Sequence, residues 1–154
     1  MSKVEERLAA LGHQLWVPGA PVANFVNAVR TGNLVYLAGQ GPRRQDGRYD
    51  FIGKVGEAID LATAQKSAEL VMLNCLCALK QEIGDLDRVT RVVKLLGMVN
   101  CTPDFTDQPK VINAASDLLV AAFGEAGRHA RSAVGVGSLP LGFSVEIEMI
   151  VEVA

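Results

Sequence analysis

Three cysteines, one tryptophan and two histidines in 154 residues leave little for metal, redox or disulfide chemistry. Cys75, Cys77 and Cys101 form no CxxC pair and no disulfide framework. Cys75 and Cys77 lie two apart on a predicted helix and so point to different sides; all three read as buried free thiols. There is no zinc-ligand spacing, no P-loop and no dinucleotide fingerprint, so neither a metal nor a cofactor is expected. No hydrophobic run approaches the roughly 20 residues of a membrane span. The start, Ser2 to Leu8, is charged and helical rather than the apolar stretch of a signal peptide, which reads as a cytoplasmic protein. Basic residues are not in excess: 15 Lys and Arg stand against 17 Asp and Glu, a net charge of −2. A duplex-binding surface needs a basic stripe, and none is present, so nucleic acid is not an expected partner. The closest approach, Arg43, Arg44 and Arg48, reads as a solvated loop.

What is present suits one globular domain over residues 1–154, with 49% hydrophobic and 21% charged residues. Ser2 and Glu5 form a capping box, Val4, Leu8 and Leu11 recur at helical spacing, and Gly12 suits the stop. Residues 1–12 are thus an N-terminal helix, followed by an extended Pro- and Gly-containing connection to Ala23. Phe25 to Arg30 and Leu34 to Ala38 read as a β-hairpin around Thr31-Gly32-Asn33. A long helix is predicted over 57–83, with Ala64, Ala68, Val71, Cys75, Leu79 and Ile83 as its apolar stripe. A strand follows over 88–99, then a second helix over 107–125 with Pro109 in its first turn. Two final strands, 131–138 and 143–152, read as a C-terminal hairpin. The order predicts an α+β fold, a mixed sheet with two long helices on one face. The other sheet face lacks helices to cover it, so further copies of the chain are expected there.

The C-terminal strands carry the candidate chemistry. Arg131, Ala133, Gly135 and Gly137 share one face; Ser132, Val134, Val136 and Ser138 share the other, and the valines suggest that the second face packs on the helices. The first would then be an arginine beside a nearly bare strip, with room for a ligand next to a permanently charged fork of donors. Glu146 and Glu148 share a face away from the helices. The pattern equally allows Arg131 to pair with a glutamate across the sheet, the glycines marking twist or close packing.

The stretch Arg131-Ser132-Ala133-Val134-Gly135-Val136-Gly137-Ser138-Leu139-Pro140, followed by Val145-Glu146-Ile147-Glu148, resembles the C-terminal signature of the RidA (YjgF/YER057c/UK114) family. The hairpin up to Ala38, the following Gly39-Gln40-Gly41-Pro42, Asp104-Phe105 and Asn113 match that family as well, so the resemblance spans roughly residues 20–153. It implies a chorismate-mutase-like fold and a homotrimer with clefts between subunits. It implies hydrolysis of reactive 2-imino or 2-enamino acids to 2-oxo acids and ammonia. The family's carboxylate-binding arginine falls on Arg131, its backbone contacts on Gly39 and Ala133, and its water-positioning glutamate on Glu146. Two positions depart from the family: Ala133 stands where it has cysteine, and Phe25 where it has a first-strand tyrosine. Both departures make the pocket less polar. They favour the alternative reading, a non-catalytic module binding a small carboxylate metabolite. Ribonuclease activity, attached to some family members, sits poorly with the acidic balance. His129 reads as a loop or surface residue.

Overall fold

A computed structural model describes residues 1–154. Helix α1 (Lys3–Ala10) opens with the capping box: Ser2 Oγ accepts from the Glu5 N–H, and the Glu5 carboxylate accepts from the Ser2 N–H. Its N-terminal Lys3 and Val4 N–H groups donate to the Asp87 carboxylate, Lys80 pairs with Glu5, and Arg7 donates to the Ala122 carbonyl. Val4 and Leu8 are buried, each worth roughly 1.5–3 kcal/mol of apolar transfer before entropy is charged against it.

Strands β1 (Ala28–Thr31) and β2 (Leu34–Leu37) form the expected hairpin, with Gly32 at φ +60° in its two-residue turn. The first strand is shorter than predicted: Phe25 and Val26 are exposed and lie outside it. Helix α2 (Leu61–Ile83) starts four residues later than the predicted residue 57, because Asp60 caps it by accepting from the Thr63 N–H at 2.8 Å. Gly84, at φ +81°, closes it. Strand β3 (Val89–Asn100), helix α3 (Gln108–Phe123), strand β4 (Ala130–Val136) and strand β5 (Val145–Val153) follow.

The five strands form one mixed sheet in the order β1-β2-β5-β3-β4, with β3 and β4 parallel and the other neighbours antiparallel. The expected C-terminal hairpin therefore does not exist: β3 lies between β4 and β5. The connection through Pro140–Gly142 carries the chain past β3 instead of turning it back on itself.

A cluster of 35 buried residues joins α1, α2 and α3 to one sheet face, which holds Leu95, Val145, Ile147, Met149 and Val151. The register places Arg131 beside Leu95 and Met149, and Ala133 beside Gly97 and Ile147, all on this helix-covered side. The expected assignment of faces in β4 is thus reversed. The strip Arg131, Ala133, Gly135 faces α3, whereas Val134 sits on the open side in a row with Met98 and Glu146. The valines misled because the open face carries apolar side chains as well as Glu146 and Glu148: Val29, Tyr36 and Val134 are 53%, 45% and 42% exposed there, beside Leu96 and Ile150.

Candidate functional site

Three of the five sequence-nominated residues meet in one cleft. Phe25, Gly39 and Glu146 line a cavity of about 580 Å³ together with Gln40, Arg43 and Asn74, a volume in the range of small-molecule sites. A local irregularity of the β2–β5 pairing builds it. Tyr36 opposes Ile150 and Gln40 opposes Ile147, so four steps on one side match three on the other. The extra residue bulges the chain at Ala38–Gly39. The neighbouring N–H groups are used, Ala38 donating to the Asn27 carbonyl and Gln40 to that of Ile147, while the Gly39 N–H has no partner in the chain. Glu146 lies directly against this bulge: a Cβ on Gly39 would stand 2.8 Å from Glu146 Oε2.

Glu146 is half-buried on the open sheet face and makes no hydrogen bond or ion pair within the chain. Burial raises its carboxyl above the usual carboxylate value, and the like charge of Glu148 on the same face adds to the shift. A carboxylate with free lone pairs and a raised pKa is suited to accept and return a proton.

Arg131 and Ala133 lie outside this cleft. Each is separated from β5 by the whole of β3. At about 4.8 Å per strand and 3.3 Å per residue, the Cα atoms of Arg131 and Glu146 are roughly 14 Å apart, and their side chains leave opposite faces. No rotamer brings them to one small molecule within a single chain.

The guanidinium of Arg131 is held by α3. Its Nη1 donates to Asn113 Oδ1 at 2.9 Å and Ser116 Oγ at 3.1 Å, and Nη2 reaches only the Pro109 carbonyl at 3.5 Å. Residues 109, 113 and 116 recur at helical spacing, so they share one face. No carboxylate lies within 4 Å, so the cross-sheet pairing with a glutamate does not occur. With Nη1 engaged twice and Nε donating to nothing in the chain, the Nε–Nη2 edge stays available for a two-pronged grip on an anion.

His129 lies in the loop before β4, as expected, and belongs to the same network. Its Nδ1 is 2.7 Å from the Gly127 carbonyl, which can only accept, so Nδ1 carries the proton and Nε2 accepts. Ser116 Oγ, 2.9 Å from Nε2, therefore donates to His129 while accepting from Arg131. Ser116 carries no sequence signal beyond its spacing from Asn113.

The strip beyond Arg131 is not bare. Ala133 packs against the core, and the space at Gly135 is taken by Gln108 and the Cys101 thiol. Cys75 and Cys77 are buried in α2, and burial pushes both thiols up, Cys77 to about 11. Thiol chemistry in the cleft has no candidate among them. No three His, Cys, Asp or Glu side chains gather to hold a metal ion, and no helix is long and apolar enough to cross a membrane. A larger hollow of about 650 Å³ beside α1 is lined by Glu5, Lys80 and Asp87. These charges are already committed to one another and to the helix N-terminus, so it is the docking seam of α1.

A five-stranded mixed sheet with two long helices on one face defines the class: an α+β protein of chorismate-mutase-like fold. The family model "YjgF/chorismate_mutase-like, putative endoribonuclease" matches residues 5–153, and the chain belongs to this RidA/YjgF family. Among relatives, protein TCP17 of Trypanosoma cruzi is 41% identical over 97% of this chain and 94% of its own length. The crystal structure of Atu1372 from Agrobacterium tumefaciens, a protein of unknown function, superposes with a TM-score of 0.93 at 46% identity, covering 99% of this chain and 93% of that one. RidA from the Antarctic bacterium Psychrobacter sp. PAMC 21119 superposes with a TM-score of 0.62 at 27% identity, covering 89% and 94%.

Proposed function

We propose that the protein hydrolyses small reactive 2-imino acids, and their 2-enamino tautomers, to 2-oxo acids and ammonia. The sites would be clefts shared between copies of the chain in a homotrimer. The observation that carries this reading is the division of the site. One half, Glu146 beside the unpaired Gly39 N–H, sits at the β2–β5 bulge. The other half, Arg131 with an unneutralised guanidinium and a free donor edge, sits on the far sheet edge and faces the other way. Packing of the open sheet face against a second copy would bury Val29, Tyr36 and Val134 and bring complementary halves together.

In the reaction, the Nε–Nη2 edge of Arg131 from one copy holds the substrate carboxylate. Glu146 of the next accepts a hydrogen bond from water and orients it toward the imine carbon. Glu146 takes a proton from the attacking water and passes it to the imine nitrogen, giving the carbinolamine C(OH)–NH2. In the collapse it takes the hydroxyl proton and passes it to the amine, so that C=O forms as the C–N bond breaks and ammonia leaves. The oxidation state does not change, and the raised carboxyl pKa of Glu146 suits both transfers. Such imines hydrolyse readily in water, so positioning and one proton shuttle are sufficient.

Purified protein is expected to accelerate oxo-acid release from freshly generated 2-imino acids, and Arg131→Ala to abolish the acceleration with the fold intact. Equal rates with and without protein over several imino acids would contradict the proposal. Phe25 and Ala133, which bring neither hydroxyl nor thiol, favour a second reading, carboxylate binding without turnover; saturable binding with no rate enhancement would establish it. An endoribonuclease role is less supported, since Arg44 and Arg48 are paired with Asp50 and Asp46 and form no free basic groove.

A further inference from the structure

Three arginines of one loop, alike in sequence, have different fates in the structure. Arg44 Nε donates to Asp50 at 2.6 Å, and Arg48 Nε to Asp46 at 2.9 Å. Arg43 has no carboxylate within 4 Å, and its Nε makes a single 3.3 Å bond to the Gly47 carbonyl. Its Nη1 and Nη2 groups find no acceptor in the chain. Yet it is not a loose surface side chain. The guanidinium lies in a slot between the backbones of Gly19 and Gly47: a Cβ on Gly19 would stand 2.3 Å from Nη1, and one on Gly47 would stand 3.4 Å from Nη2. The Tyr49 ring centroid is 5.9 Å from its central carbon. Its main chain is pinned as well. The N–H donates to the Gly41 carbonyl at 2.9 Å, and the C=O accepts from the amide of buried Asn74 on α2 at 2.8 Å.

This held, unneutralised cation lines the same cleft as Glu146 and Gly39. Of the other charges lining it, Arg44 and Asp46 are already paired with Asp50 and Arg48, so Arg43 and Glu146 are the two uncommitted ones, and they form no ion pair. The space between them is room for a guest. We infer that Arg43 is a specificity-determining anion site and that the preferred substrates are 2-imino acids with an acidic side chain, whose distal carboxylate Arg43 binds. This rests on the hydrolytic reading: Arg131 of a neighbouring copy takes the α-carboxylate, Glu146 serves the imine carbon, and Arg43 takes the far end. A guanidinium–carboxylate pair with four free N–H donors discriminates a carboxylate from its amide isostere by about tenfold or more.

The test compares the imines of glutamate and glutamine, generated in situ by amino-acid oxidases, because they differ only at the distal group. In the wild type, kcat/KM for the acidic imine should exceed that for the amide by about tenfold or more. Arg43→Gln should bring the ratio close to one, chiefly by raising KM for the acidic imine. Gly19→Ala, which pushes the guanidinium from its slot, should do the same. Arg43→Lys should retain part of the preference. A wild-type ratio near one, or an equal loss for both imines in Arg43→Gln, would overturn the inference; the second result would make Arg43 an α-carboxylate ligand instead. If no imine is turned over at all, hydrolysis fails by itself. Calorimetry with stable 2-oxoglutarate against 2-oxopentanoate then decides the Arg43 site separately: tighter binding of the dianion that Arg43→Gln removes supports it, and equal binding refutes it.

Discussion

Replacing Gly39 by alanine separates the cleft's chemistry from its stability. The added Cβ would stand 2.8 Å from Glu146 Oε2, 3.1 Å from its Cδ and 3.3 Å from its Cγ. Ordinary contact requires the carboxylate to retreat by roughly half an ångström, and it is the flexible end of a half-buried side chain, so it can. Gly39 is not among the residues at positive φ. Alanine is therefore tolerated by the backbone and offsets part of the crowding by about 0.4–1 kcal/mol through the unfolded chain. The melting temperature should barely move. Catalysis should not be spared, because a misplacement on the order of 1 Å costs about a hundredfold where a reacting group must be in register. An intermediate loss of kcat/KM, about tenfold or somewhat more, is expected in an oxo-acid release assay. Two other glycines calibrate the result. Gly137→Ala meets nothing within 4 Å and should be silent in both measurements. Gly41→Ala meets the buried Phe143 ring at 2.5 Å and should destabilise by about 1–3 kcal/mol through overpacking. Wild-type turnover by a normally folded Gly39→Ala protein would refute the placement of Glu146 at the reacting centre. Activity and stability falling together would reduce Gly39 to a structural role.

Glu146→Gln should abolish turnover yet raise the melting temperature near pH 7. The folded-state pKa is raised, so the charged carboxylate costs stability above that pKa, and the cost disappears as pH falls through it; a gain that persisted at pH 3 would contradict this. His129→Ala should raise KM more than it lowers kcat, because Ser116 loses the acceptor that orients it toward Arg131; an equal fall in kcat with KM unchanged would argue against a positioning role. The α1 contacts should weaken in acid. Glu5 is held low by its bond to Lys80, and Asp87 by the Lys3 and Val4 N–H groups. Their contribution is present above about pH 4 and lost as pH falls through the lowered folded values, which amide hydrogen exchange over Lys3–Ala10 would register first.

Local rules made much of this legible. The Ser2–Glu5 box starts α1, the stripe from Ala64 to Ile83 is the buried side of α2, and the strict alternation of β5 places Glu146 and Glu148 on the open face. The failures are non-local. Nothing near residues 131–152 reveals that β3 inserts between β4 and β5, since its register is set some 30 residues upstream. The face of β4 misled because valine suggests the helix side, whereas Val134 stands on the open face, 42% exposed. Arg131 could occupy the helix side only because α3 approaches the edge strand with Asn113 and Ser116 rather than with its apolar stripe. Arg43 is indistinguishable from Arg44 and Arg48 until the fold brings Gly19 and Gly47 around it.

Mixed assemblies give the most direct test of the divided site. Arg131→Ala and Glu146→Gln proteins, each inactive alone, would be unfolded together in equal amounts, refolded and assayed. If every site joins Arg131 of one copy to Glu146 of another, random mixing leaves about a quarter of the sites with both groups intact, and about that share of wild-type activity should return. If the mixed, refolded assemblies stay as inactive as either parent, the two residues do not act across copies.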